Sequence, residues 1–208
     1  NQKKTLNENS IFEPVSPYAS AKLLAYWNTK IYRQAYGIFA SNGIMFNHES
    51  SQRGENFISK KTTKAVAEIS LGLRDILYVG NLNSYRDWGY AGDYVEAMWK
   101  IMQYKKPDDF VIATNKTHSV RRFIEIAFKR VGIKIIWKGK GINEVGFEKK
   151  SKRILVKVDK IYFRPNEVEY LKGNYSKINK LIGWKPKMTF EKLVNKMVDY
   201  DLKKLKNI

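Results

Sequence analysis

A chain of 208 residues can hold one sizeable core or two small domains, and 43% hydrophobic with 13% aromatic content marks it as globular rather than disordered. No apolar run approaches the roughly 20 residues that span a bilayer, and Asn1-Gln2-Lys3-Lys4 leads into no apolar signal core, so a soluble protein is expected. Zero cysteines exclude disulfides and thiolate metal sites, and His48 and His118 alone do not make a metal centre; 39 basic against 20 acidic residues, a net +19, call for an anionic partner.

Nucleic acid, a membrane surface and a phosphorylated small molecule all meet that charge requirement. The lysines are dispersed, the densest groups being Lys149 to Arg153 and Lys203 to Lys206, so neither nucleic acid nor membrane is expected. Absence of cysteine agrees with a reducing, cytoplasmic compartment. The chain opens without methionine on the polar stretch Asn1 to Asn9, which reads as the middle of a longer protein.

Ser16-Pro17 marks a helix start, with serine as N-cap and proline in the first turn. Leu23, Tyr26, Trp27, Ile31 and Ala35 recur at three- and four-residue steps, predicting a long amphipathic helix from Tyr18 to Tyr36 that Gly37 stops. Tyr18 and Lys22 then lie one turn apart on one face. A tyrosine with a pKa of about 10 is a poor base near neutrality, and a neighbouring ammonium stabilises its phenolate. The pair can exchange a proton with a substrate hydroxyl, although an exposed pair with packed stems fits the bare spacing too.

Ile38 to Phe46 reads as a strand buried on both faces, followed by the polar loop Asn47 to Glu55, where α/β proteins place ligands. Next come a helix from about Ile58 to Leu71, a short strand from Ile76 to Val79, and a helix from about Gly92 to Gln103 that Lys106-Pro107 ends. Phe110 to Ala113 is a buried strand, Ser119 caps a helix through Val131, and Ile133 to Trp137 is a strand. Gly139 to Arg153 reads as a basic, mobile insertion, Ile154 to Val158 as a strand, and Ser176 to Ile182 and Phe190 to Leu205 as two closing helices. Strands alternating with helices give an α/β class. A glycine fingerprint of the kind that cradles a dinucleotide pyrophosphate is not found in the sequence.

Ser-Pro-Tyr-Ala-Ser-Ala-Lys (16–22), Tyr26-Trp27, Gly43 to Ser50, Arg53-Gly54-Glu55, Arg86-Asp87-Trp88-Gly89, Asp109 to Thr114, Tyr162 to Val168 and Gly183-Trp184-Lys185-Pro186 occur in that order. Together they closely resemble the GDP-mannose 4,6-dehydratase family of extended short-chain dehydrogenase/reductases, from Phe12 to the last helix. The resemblance implies the C-terminal part of a Rossmann-type fold plus a smaller mixed α/β substrate lobe. Residues 1–54 would carry the catalytic helix with the strand and loop after it, and 55–208 mainly the substrate lobe, with some returning elements packing on the Rossmann-type sheet.

The implied activity is NADP-dependent dehydration of a GDP-sugar, GDP-mannose or a close relative such as GDP-manno-heptose. Tyr18 resembles the catalytic tyrosine, and Lys22 the lysine that holds the nicotinamide ribose. Asn47, His48 and Arg53 resemble the loop along the cofactor, with Asn47 also at the substrate. Ile58 and Lys61 fall where the family reads guanine, Arg86 and Arg164 at the diphosphate, and Glu167 at ribose hydroxyls. The family's Ser/Thr and glutamate motif has no match here, and neither Glu8 nor Glu13 replaces it, so the chain alone is expected to be inactive. A homodimer or homotetramer is implied, with Tyr26 and Tyr32 as exposed interface aromatics. A non-catalytic GDP-sugar-binding module remains the other class.

Each assignment has a plain structural alternative. Arg86 can pair with Asp87 or Asp93, Arg164 can cap a turn, and His48 can be a hydrogen-bonded loop histidine. Lys61 belongs to Lys60-Lys61-Thr62-Thr63-Lys64, which reads as a solvated helix face, and Trp88, Trp99 and Trp184 read as core.

Overall fold

The structure, a computed structural model, describes residues 4–163 and 168–207. In chain order the elements are α1 (Pro17–Tyr36), β1 (Asn42–Met45), β2 (Asn47–Glu49), α2 (Ile58–Ser70), β3 (Leu77–Val79), β4 (Tyr85–Arg86), β5 (Trp88–Tyr90) and α3 (Ala91–Met102). They continue with β6 (Asp109–Ile112), β7 (His118–Ser119), α4 (Val120–Arg130), β8 (Ile135–Lys138), β9 (Val145–Glu148), β10 (Ile154–Val158), α5 (Ser176–Ile182) and α6 (Phe190–Lys206). The chain forms two compact units and passes between them after His48, Arg86, Thr117, Glu169 and Lys187.

One unit comprises Asn1–His48, Asp87–Thr117 and Tyr170–Lys187. Its helix α1 starts and stops as the caps dictate: Ser16 Oγ accepts the Ala19 N–H at 3.1 Å, Pro17 occupies the first turn, and Gly37 takes the left-handed conformation with φ 63°. Strand β1 lies parallel to β6, with Asn42 opposite Asp109 and Met45 opposite Ile112, and β2 pairs with β5. The core joins Tyr94, Ala97 and Ile101 of α3 to Phe110 and Ile112 of β6, and to Ile178 and Trp184.

The other unit comprises Glu49–Arg86, His118–Glu169 and Met188–Ile208. Its sheet runs β3-β10-β9-β8, parallel between β3 and β10 and antiparallel elsewhere. Helices α2, α4 and α6 pack on one another, burying Val66 and Ile69, Phe123 and Ile124, and Leu193, Val194, Met197 and Val198. The Ser119 hydroxyl caps α4 by accepting the Arg122 N–H at 3.1 Å. Strand β4 pairs antiparallel with β7, setting Arg86 opposite His118.

Several sequence expectations are corrected. The strand after α1 covers only Asn42–Met45, and its burial alternates instead of being complete. Part of the insertion between Gly139 and Arg153 is ordered: Val145–Glu148 hydrogen-bonds to strands on both sides, and this pairing gives the segment its structure. Trp88 and Trp184 are core, but Trp99 is 63% exposed because the buried stripe of α3 runs through Asp93, Tyr94, Ala97 and Ile101 and misses it. Lys60, Thr62 and Thr63 are buried rather than solvated, since α2 is covered by both α4 and α6. Among the described residues no helix is long and apolar enough to cross a membrane.

Candidate active site

Tyr18 sits in the first turn of α1 with its side chain 73% exposed, and Lys22 Nζ lies 5.8 Å from the centre of its ring. The helical repeat alone brings them together, so a cation and a solvent-accessible phenol share one face. No residue of α1 is fully buried, and polar contacts to Asp109 add to the packing of Tyr26 on Phe12, whose ring centres lie 4.7 Å apart. Asp109, 7% exposed at the start of β6, accepts hydrogen bonds from Arg33 Nη1 and Asn42 Nδ2, each at 2.9 Å, and from Tyr26 Oη at 3.0 Å. Burial, with the Asp109 charge and hydrogen bond behind it, pushes the Tyr26 phenol up to about 12. Tyr26 is therefore half-buried and engaged, not an exposed interface aromatic, whereas Tyr32 is 55% exposed.

Asn47 and His48 follow on β2 of the same unit. His48 Nδ1 lies 3.0 Å from the Phe46 carbonyl, which can only accept, so Nδ1 carries a proton in that hydrogen bond. The histidine is hydrogen-bonded as the structural alternative has it, but it sits on strand β2 rather than in the loop expected from Asn47 to Glu55, and its bond also aims the second nitrogen. Glu8 is occupied structurally: its Oε1 accepts the Val111 N–H at 2.8 Å.

Arg53, Ile58, Lys61 and Arg86 belong to the other unit. Arg53 stacks its guanidinium on Phe57 at 3.5 Å from the ring centre and brings Nε to 3.3 Å from Glu49. Buried Glu49 also accepts from Ser59 Oγ at 2.5 Å. Ile58 opens α2, and Lys61, one turn on, holds Nζ 3.2 Å from the centre of the Tyr162 ring. Arg86 is half-exposed on β4, with Nη1 donating to the Tyr85 carbonyl at 2.9 Å. Asp87 is buried and accepts from Thr114 N at 2.8 Å, Thr114 Oγ1 at 2.6 Å and Gly173 N at 3.1 Å. Burial raises the Asp87 carboxyl pKa even against those hydrogen bonds. Arg164 and Glu167 lie outside the described residues.

Sequence reasoning missed Lys60 and Asp201. The Lys60 ammonium pairs with Asp201 of α6 and donates to the Ser51 carbonyl at 2.8 Å, while Thr63 Oγ1 donates to the other Asp201 oxygen at 2.7 Å. The available signal was Asp201 continuing the spacing of Leu193, Val194, Met197 and Val198, an acid placed on an apolar stripe.

Within one unit the exposed Tyr18 phenol and the Lys22 ammonium, and within the other the Arg53 guanidinium, are groups of the kind that bind hydroxyls and phosphates. In fold the chain is similar to the structure of RMD from Pseudomonas aeruginosa complexed with NADPH, with a TM-score of 0.79 at 17% identity, covering 96% of this chain and 60% of that one. It is also similar to dTDP-glucose 4,6-dehydratase from Bacillus anthracis in complex with NAD, with a TM-score of 0.78 at 18% identity, covering 99% and 58%. These likenesses define the α/β fold of the chain. The family model for GDP-mannose 4,6 dehydratase matches residues 1–197, and the chain belongs to that family. GDP-mannose 4,6 dehydratase from Dictyostelium discoideum is 50% identical over 201 residues, which are 97% of this chain and 56% of the relative. The chain thus spans about half the length of the curated relatives it matches.

Proposed function

We propose that this chain supplies the tyrosine–lysine pair and the nucleotide-sugar contacts of a cytoplasmic NADP-dependent lyase. That enzyme converts GDP-mannose to GDP-4-keto-6-deoxymannose and water. Tyr18 Oη takes the proton of the sugar 4-hydroxyl, and the Lys22 ammonium stabilises the phenolate that this requires and holds the nicotinamide ribose. When bound, NADP supplies the reversible hydride acceptor that leaves the overall conversion redox-neutral. Asn47, His48 and Arg53 face the cofactor, with Asn47 also reaching the hexose or its phosphate. Arg86 and Arg164 bind the diphosphate, Glu167 the ribose, and Ile58 and Lys61 the guanine. Loss of water across C5 and C6 falls to an acid/base group that this chain does not assign.

The observation that carries the reading is the exposed Tyr18 phenol with Lys22 Nζ 5.8 Å from its ring, at the capped start of α1 in a chain of this family. The exposed apolar residues of that helix, Leu24, Trp27, Ile31, Tyr32 and Tyr36, support assembly as a dimer or tetramer. In the full-length protein with NADP, GDP-mannose should lose the mass of one water. Tyr18→Phe should abolish most turnover while keeping GDP affinity; full turnover in that variant would remove Tyr18 from the reaction.

A further inference from the structure

Lys60 and Asp201 are 6% and 3% exposed, and replacing such an ion pair by apolar residues of similar size is often neutral for stability. Their retained charge does something an apolar pair does not: Lys60 Nζ donates to the backbone carbonyl of Ser51, in the segment that carries Arg53. That segment is tied at several points. Glu49 is fixed by Ser59, Arg53 stacks on Phe57, and the Arg53 and Phe57 N–H groups donate to the Ser50 and Gly54 carbonyls at 3.1 and 3.2 Å. Lys60 links this segment to α6, through Asp201, which Thr63 holds from its second oxygen. We infer that Lys60 is a positioning residue: anchored by Asp201, it fixes the Glu49–Phe57 segment and so aims Arg53 at the cofactor. This rests on the proposed reading of Arg53 as a cofactor contact.

The test is a thermodynamic cycle in the full-length protein between Arg53→Ala and the paired change Lys60→Met with Asp201→Leu, which leaves no charge buried alone. NADPH and GDP affinities are read by titration, and amide hydrogen exchange is followed at Arg53 and Phe57. Arg53→Ala should weaken NADPH binding about tenfold. The paired change should weaken NADPH binding severalfold, leave GDP affinity within about twofold, and speed exchange at both amides. The combination should bind NADPH no more weakly than Arg53→Ala alone, because Lys60 acts through Arg53. Lys60→Arg, which keeps a donor, should restore affinity. Additive losses, or wild-type affinity in the paired variant, would overturn the positioning role. If Arg53→Ala leaves NADPH binding untouched, the cofactor reading of Arg53 fails instead. Exchange then decides the clamp alone, and unchanged protection at Arg53 and Phe57 overturns it.

Discussion

Replacing Asp109 by asparagine asks whether one carboxylate holds the helix that carries Tyr18. Arg33 and Tyr26 lie two turns apart on α1, Asn42 opens β1, and all three donate to Asp109 at 2.9 to 3.0 Å. Asparagine removes the charge and turns one acceptor oxygen into a donor facing these groups, leaving the Arg33 guanidinium, 14% exposed, without its ion partner. Hydrogen bonds to a charged group contribute about 1.5–3 kcal/mol, and stranding a partly buried charge brings the expected loss to about 2–4 kcal/mol. At roughly 2–4 °C per kcal/mol for a chain of this size, the melting temperature should fall by about 4–16 °C. Titration supplies independent readouts. Tyr26 is held up at about 12, so its contribution is complete below about pH 10 and is lost as pH rises through its folded value. Burial is the largest cause of that shift, so the variant should bring the phenol only part of the way back. Burial also raises the Asp109 carboxyl, but the Arg33 and Asn42 hydrogen bonds and the Arg33 charge outweigh it and hold the pKa below the ordinary value. Its stabilisation is therefore present above about pH 4 and lost on acidification, and Asp109→Asn should lack that acid limb. Circular-dichroism melts across pH, with phenolate absorbance referenced to Tyr26→Phe, measure all three effects. An unchanged melt together with an unchanged Tyr26 titration would refute the reasoning.

Arg86→Ala should weaken GDP binding about 10- to 100-fold with little change in melting temperature, measured by calorimetric titration; wild-type affinity would return Arg86 to a structural role. Asp201→Ala, which leaves the Lys60 ammonium buried and unpaired, should destabilise by about 3–5 kcal/mol in denaturant titration. Asp87→Asn sets an amide NH2 against the Thr114 or Gly173 N–H and should cost about 1–3 kcal/mol by the same measurement. Gly80→Ala builds a Cβ into the Tyr162 carbonyl and should cost about 1–3 kcal/mol; an unaltered melt would show that the Tyr162 segment yields freely.

Local chemistry was legible in the chain, and long-range pairing was not. Ser16-Pro17 and Gly37 bound α1, Ser119 caps α4, and Ile154–Val158 and Ser176–Ile182 fall where spacing put them. Each of those signals is contained in a few consecutive residues. The two-residue strands Tyr85–Arg86 and His118–Ser119 have no period to read, because they exist only through their mutual register. Val145–Glu148 was hidden for the same reason, its structure coming from neighbours on both sides. At the candidate site, Tyr18 and Lys22 were legible because one helical turn joins them. The Lys60–Asp201 pair spans 141 positions, and nothing near Lys60 in the chain names its partner.

The placement of the acids accounts for much of what charge alone left open. Among the described residues Glu49, Asp87, Asp93, Asp109, Glu144 and Asp201 are all buried, so several of the chain's 20 acids are withdrawn from the surface and the basic excess outside is larger than composition suggests. Inside, these carboxylates gather donors from segments far apart in sequence, as with Thr114 and Gly173 on Asp87, or Arg33 and Asn42 on Asp109. Several residues proposed to meet anionic ligands stand directly beside a buried charged group: His48 by Glu49, Arg86 by Asp87, Lys61 by Lys60. Along an extended chain consecutive side chains face opposite ways, and on a helix they diverge by about 100°. A buried anchor at one position therefore sets the direction of its neighbour. In these three pairs the fixed inner charge is the neighbour of the cation or imidazole proposed to meet ligand, so the anchor can be tested separately from the proposed contact.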